Sequence, residues 1–393
     1  MRARRLVLPL AATLVAACTS GGSSGPETAT TRPGPATSIL APPESGAWPL
    51  FGYDGARSNA LEGDTGIVAR DLEHLRRERV ELPGTADSSP IYVRGRLLVT
   101  TSYGKVVAID AHTGKIVWTF VPEGIESWEG TSQITQSSPA ADPAGGYVYS
   151  YSPDGKLHKL SIADGREVRG KGWPAVATRD PRHEKSASAL NLVGDLVLVA
   201  TGGYLGDAPP YQGHVVAVDR RSGRIVNVFN ALCSERGGLL DPPSCPETGS
   251  AIWGRGGVVV DPESANLLVS TGNGEWNGST YWGDSVLVLS PDAGKLLASY
   301  TPANEEELDS ADISTWRAPR QRSSRLTSWC KAARTGSCVS SICASSVGAR
   351  REAKPASLPR QERRASSPPW PSGERGATRG SSSPTRRGRR PTS

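Results

Sequence analysis

Six cysteines and five histidines in 393 residues are the first side chains to ask about chemistry. Cys233 and Cys245 bracket the Gly/Pro-rich segment CSERGGLLDPPSC with no histidine beside them. Two thiolates fall short of the four ligands of a structural zinc site, so a loop-closing disulfide is the expectation in an oxidising compartment. No C-x-x-C-H haem attachment motif and no adjacent cysteine pair occurs anywhere in the chain. Among the carboxylates, Asp309 follows Glu305, Glu306 and Glu307, which reads as a solvated acidic run unless the fold brings a partner to it.

The N-terminus supplies the address. Arg2, Arg4 and Arg5 precede an apolar run from Leu6 to Ala17, the form of an export signal. The run ends in Val15-Ala16-Ala17-Cys18, which resembles a bacterial lipobox and implies that Cys18 becomes a lipidated first residue; an ordinary secretory peptide with an incidental cysteine is the other reading. Residues 1–18 are thus expected to be a lipoprotein signal peptide and residues 19–47, rich in Ser, Thr, Gly and Pro, a flexible linker. The protein is expected outside the cytoplasm, tied to the cell membrane through Cys18.

The elements that must position any site come from a repeat. GKVVAIDAHTGKIVWTF from Gly104 returns as GKLHKLSIADGREV from Gly155, GHVVAVDRRSGRIVNVF from Gly213 and DSVLVLSPDAGKLLASY from Asp284. Each copy reads as strand, tight turn, strand, and each is preceded by small residues and a second strand pair starting near Ser88, Ser137, Ser186 and Gly249. The turn glycines Gly114, Gly165, Gly223 and Gly294 are 51, 58 and 71 residues apart, a spacing that holds four strands. One such unit cannot bury both of its faces, so the copies must stack. The fold class expected is all-β, an incomplete propeller with about four four-stranded blades over residues 48–313 and disordered termini.

The first copy carries A-x-D-x-x-T-G-K-x-x-W at Ala108, Asp110, Thr113, Gly114, Lys115 and Trp118, and the chain resembles the PQQ-like β-propeller family. Later copies place Arg169, Asn227 and Ala298 where Trp118 stands, so docking by tryptophan is expected to be degraded. Trp48-Pro49-Leu50-Phe51-Gly52-Tyr53-Asp54 is similar to the family's entry segment, which leads into the first blade, and YLGDAPPYQG is expected to project from one rim. The resemblance extends to quinoprotein alcohol dehydrogenases. It implies Trp253 beneath a quinone, Asn273 as a calcium ligand and Asp309 as the base that takes an alcohol proton. Trp253 as a core residue, Asn273 as a turn residue and Asp309 as a solvated acid are the readings for a non-catalytic relative. The family's calcium-binding glutamate would fall where this chain has Tyr204, which departs from the pattern.

Beyond Ile313 the composition changes. Residues 314–393 hold 16 Arg and 2 Lys against 3 Glu, a net of +15 in a chain whose total is +6, so the preceding part is acidic. Two readings stand: a disordered basic arm for anionic polymers, or the product of a shifted reading frame. Shifting the frame by one base lets residues 314–346 spell a further G-K-D-G repeat, which favours the second. Cys330, Cys338 and Cys343 then form no metal site, and the tail has no nucleic-acid partner.

The sequence leads to an envelope lipoprotein whose propeller serves as a non-catalytic scaffold for an unidentified envelope protein or ligand, without cofactor. The alternative is a PQQ- and calcium-dependent dehydrogenase of an alcohol or sugar.

Overall fold

The computed structural model describes residues 46–61, 68–74, 77–204, 208–252 and 254–310. Domain boundaries expected outside that range, at the signal peptide, the linker and the basic tail, lie outside the described residues. Among the described residues eighteen short strands form. Sheet one holds β1 (Ile91–Val93), β2 (Arg96–Thr100), β3 (Val106–Asp110) and β4 (Ile116–Phe120); sheet two holds β5 (Ala140–Asp142), β6 (Tyr147–Tyr151), β7 (Lys156–Ser161) and β8 (Ala175–Val176). A small ladder pairs β9 (Glu184–Lys185) with β12 (Gly202–Gly203). Sheet three is β10 (Asn191–Val193), β11 (Leu196–Ala200), β13 (His214–Asp219) and β14 (Ile225–Asn230), and sheet four is β15 (Val259–Val260), β16 (Leu267–Ser270), β17 (Val286–Leu289) and β18 (Leu296–Tyr300). All are antiparallel meanders, the arrangement of propeller blades.

The turn joining the third and fourth strands of a blade is fixed by its own polar residue. In sheet one the Asp110 carboxylate accepts from the backbone N–H of His112 and Thr113 and from the Thr113 hydroxyl; Asp219 does the same for Ser222. Apolar residues on alternate faces then lock blade to blade. One core joins Val93, Leu98 and Val106 of sheet one to Val148 and Leu160 of sheet two; a second joins sheets two and three, and a third joins sheets three and four.

The outer strand of one blade meets the turn glycine of the next. The Trp118 indole lies on Gly165, where a Cβ would stand 2.5 Å from the ring, and its Nε1–H donates to Ile162 O at 3.0 Å. Asn227 takes the same position against Gly294 and donates to Asp292 at 2.9 Å. Docking therefore persists after the tryptophan is lost, with a hydrogen bond in place of aromatic area. The small-residue entries of the blades are also linked side by side: the Ser137 hydroxyl donates to Ser188 O, Thr135 to Ser186 O and Ser188 to Ile252 O.

The entry segment does more than lead into the first blade. Trp48 pairs with Tyr92 of sheet one, Pro49 O accepts from Ala141 of sheet two, and Gly55 O accepts from Val260 of sheet four and from the Asn191 side chain of sheet three. It is a strap along the innermost strands of all four sheets. Arg57 fastens it. Its guanidinium is 3% exposed and donates to Phe51 O at 2.6 Å, Leu190 O at 2.9 Å, Gly256 O at 3.1 Å and Ala189 O at 3.3 Å.

Candidate functional site

On the rim where strands cross from blade to blade, extended backbone steps across blades three and four. Gln212 bridges Gly249, and Gly249 bridges Gly274. A Cβ on Gly249 would lie 2.6 Å from Asn273 O, and its φ is +111°, so only glycine lets these segments approach. The Ser250 N–H donates to Asn273 O and fixes the residue. Asp309, on helix α1 (Glu305–Ser310), accepts from the Gly274 N–H at 2.9 Å. The fold thus brings Asn273 and the exposed Asp309 to one turn, although they are far apart in sequence. Trp253 lies outside the described residues.

Tyr204 stands in a different setting. It is buried, donates its hydroxyl to Pro181 O at 2.9 Å and has the Lys185 ammonium 5.2 Å from its ring. Burial pushes its phenol well above the ordinary tyrosine value, so it stays neutral and offers no anionic oxygen. The YLGDAPPYQG stretch is anchored more firmly than a projecting loop, since Tyr204, Tyr211 and Gln212 are all buried; Leu205, Gly206 and Asp207 lie outside the described residues.

Behind this turn sits a cluster that sequence reading missed. Glu184 and His214 are fully buried, with Glu184 accepting from the Thr178 hydroxyl, the Gln212 N–H and His214 Nε2. His214 Nδ1 meets Asn230 Oδ1 at 2.7 Å, and Asn230 donates to Arg236 O and Gly238 O. Those carbonyls belong to the loop closed by the disulfide between Cys233 and Cys245, whose Cα atoms are 6.2 Å apart. Glu184 sits in RDPRHEKS, which has the composition of a charged surface loop, and nothing local announces its burial.

Ser152, His158 and Glu167 have the distances of a hydrolytic triad, 2.7 Å from Oγ to Nε2 and 2.5 Å from Nδ1 to the carboxylate. Chemistry is ruled out by place. Ser152 is 1% exposed, it also donates to Asp154, and Gly104 packs directly on it. Phe120 lies over the imidazole and Arg169 ties Glu167 to Glu123, so the group joins blades one and two.

A calcium–quinone pair can be tested against these residues. A hard cation takes six to eight oxygens with carboxylates prominent. Where the resemblance would place a ligating glutamate, a buried phenol is committed to a carbonyl. Among the described residues no group of three or more His, Cys, Asp or Glu could hold a metal ion. At that position the chain therefore supplies no carboxylate to a calcium ion.

The four stacked sheets now meet comparison with known proteins. Residues 66–231 match the PQQ-repeat family model described as outer membrane protein assembly factor BamB. Blades one to three, which lie within that span, resemble PQQ-like repeats. Among curated relatives, the quinohemoprotein alcohol dehydrogenase ADH IIB of Pseudomonas putida is 27% identical over 49% of this chain and 29% of its own length. The quinohemoprotein alcohol dehydrogenase of Comamonas testosteroni is 27% identical over 45% of this chain and 24% of its own. The solved structure of the Comamonas testosteroni enzyme superposes with a TM-score of 0.52 at 22% identity, covering 65% of this chain and 41% of that one, and shows the fold. The chain spans under a third of the length of these curated relatives. No helix among its described residues is long and apolar enough to cross a membrane.

Proposed function

We propose that this chain is an exported lipoprotein, anchored through Cys18, whose PQQ-like propeller is a non-catalytic scaffold for an envelope protein or ligand. The observation that carries this reading is Tyr204, a buried neutral phenol bonded to Pro181 O where a quinoprotein site needs a carboxylate. The test is a titration of the full chain with PQQ and calcium, followed by visible absorbance and by dye reduction with a primary alcohol. No binding at micromolar cofactor is expected. A calcium-dependent spectral change with dye reduction overturns the scaffold reading.

One contact favours the second reading, a PQQ-dependent dehydrogenase of an alcohol or sugar: Asp309 is held at the residue next to Asn273. There Trp253 and Asn273 belong to the cofactor and Asp309 is the base, and the Asp309→Asn chain loses any turnover that the titration reveals. The remaining proposals are checked separately. Residues 314–393 are the product of a shifted frame and bind no nucleic acid. Sequencing the gene across the codons for Asp309 to Arg320 supports this if another frame continues the repeat. If the frame stands and deleting the tail abolishes DNA retention in low salt, the basic-arm reading replaces it.

A further inference from the structure

Between β16 and β17 the chain makes a small hairpin whose base is the bridge of Trp276 to Trp282 and whose tip is Asn277-Gly278-Ser279-Thr280. The Trp282 indole N–H donates to the Ser234 hydroxyl at 2.9 Å and holds the base against the disulfide-closed loop, while residues 275–279 are exposed. One oxygen organises the tip. Asn277 Oδ1 accepts from the backbone N–H of Ser279 at 3.0 Å, of Thr280 at 2.8 Å and of Tyr281 at 3.0 Å, and from the Ser279 hydroxyl at 3.1 Å.

The blade turns at Asp110 and Asp219 are built in the same way, with two backbone N–H groups and one hydroxyl on a single oxygen. There the acceptor is a carboxylate, and these bonds hold it below the usual carboxylate range, led by the Thr113 N–H at Asp110 and by the Ser222 hydroxyl at Asp219. An amide oxygen has two lone pairs and no charge, so four donors exceed what it can satisfy. The hairpin tip is a carboxylate cradle that holds an amide.

The next residue can exchange that amide. Gly278 puts no side chain between its nitrogen and solvent, and among the described residues nothing accepts from its N–H. Attack of this nitrogen on Asn277 Cγ closes a five-membered ring. Negative charge then develops on Oδ1, where four donors already point, the arrangement that stabilises a tetrahedral oxyanion. The other Asn-Gly pair of the same connection is held differently: the Gly274 N–H donates to Asp309 at 2.9 Å, and Asn273 O accepts from the Ser250 N–H.

We propose that Asn277 is a self-modifying residue, which the folded chain converts to aspartate. The Gly278 N–H gives its proton to water or hydroxide as the N–Cγ bond forms. The Cγ–Nδ2 bond then breaks, and Nδ2 leaves as ammonia after taking a proton from water, so that a succinimide remains. Water cleaving the Cγ–N bond restores the main chain with a carboxylate at position 277; the sum is one water consumed and one ammonia released, with no redox change. Cleavage at the main-chain carbonyl of residue 277 would instead route the chain through Cγ and draw the carboxylate out of the cradle, so aspartate is the product and not isoaspartate. The Thr280 hydroxyl, which accepts from Nδ2 at 3.0 Å, can turn to donate to the new oxygen. The exposed tip, in the same connection as Asn273, thereby gains a negative charge as the protein ages. Conversion requires no partner, cofactor or export, and so stands apart from the scaffold role.

The test incubates the full chain, folded and in urea, at one mildly alkaline pH. The tryptic peptide of residues 256–295 holds both Asn-Gly pairs, and mass spectrometry with fragmentation that separates aspartate from isoaspartate follows each. In the folded chain Asn277 should convert ~10-fold or more faster than Asn273 and yield mainly aspartate, whereas in urea the two should convert at similar rates and yield mainly isoaspartate. Ser279→Ala, checked for native circular dichroism, removes one donor and should slow Asn277 by ~3-fold or more in the folded chain while leaving its rate in urea unchanged. As a second readout, the Asn277→Asp chain should melt at or above the parent's temperature near neutral pH. Four results overturn the proposal: folded Asn277 converting no faster than Asn273, isoaspartate as the main folded product, no effect of Ser279→Ala on the folded rate, or a lower melting temperature for Asn277→Asp.

Discussion

Replacing Arg57 with methionine keeps the length of the side chain and removes the clamp on the strap. Four carbonyls from three separate parts of the chain lose a charged donor, and bonds of that kind contribute ~1.5–3 kcal/mol each. Against this, burial lowers the Arg57 pKa to about 9, with Asp54 opposing the shift weakly. Relative to an ordinary arginine near 12.5, that is ~5 kcal/mol of desolvation which methionine does not incur. The difference leaves Arg57→Met destabilised by ~1–7 kcal/mol, at ~2–4 °C per kcal/mol for a folded region of this size. The assay is thermal unfolding of the full chain followed by circular dichroism. The sign of the pH effect is also fixed. Below about 9 the group is protonated in both states and adds no slope, whereas above it the unfolded chain holds more protons and the Arg57 contribution rises with pH. A methionine variant melting within 1 °C of the parent near neutral pH, a shift well under the ~2–4 °C that one kcal/mol produces, refutes the clamp.

Trp118→Ala should cost ~3–5 kcal/mol by urea unfolding, since the indole fills the joint with Gly165 and its N–H bond to Ile162 O is lost as well. Asn227→Ala, with less area to lose, should cost ~1 kcal/mol in the same measurement. Paired Cys233→Ser and Cys245→Ser substitutions open a loop of sequence separation 12 and should lower stability by ~2–3 kcal/mol under non-reducing conditions, a difference that vanishes in reductant. Burial pushes the Glu167 carboxyl up, but the hydrogen bond and charge of His158, with Arg169, outweigh it and leave it below the usual range. Its contribution is present above ~4.3 and lost as pH falls through the lower folded value, so Glu167→Gln should flatten the acid limb of a stability–pH curve.

The blades could be read from the chain because their causes are local. An aspartate three residues before a turn threonine closes its own loop, and an apolar run of period two commits a strand to a face wherever it lies. Trp118 and its replacement Asn227 were found at equivalent positions for the same reason, one alanine of the neighbouring strand opposing each. The disulfide partners were legible from a short loop with no histidine beside it. What stayed hidden depends on chain far away. Arg57 reads as a surface cation in GARSN, and its burial is created by carbonyls at Leu190 and Gly256. Glu184 and His214 are buried with partners distant in sequence, Gln212 and Asn230. The contact between Asp309 and Gly274 was announced only by the resemblance that put Asp309 and Asn273 at one site, since an acidic run by itself gives no sign of which turn it will meet.

The strap sets an order of events. Its residues leave the ribosome before any blade, yet Gly256, which accepts from Arg57, follows 199 residues later. Sheets can stack pairwise as they emerge, because their contacts are between neighbours, whereas the strap must wait with its arginine still in water. Contacts of such long separation slow the closing step far more than they weaken the finished fold. Until the fourth sheet has been made, the strap lacks the partners that bury it, so its burial serves as a check that translation has run at least that far.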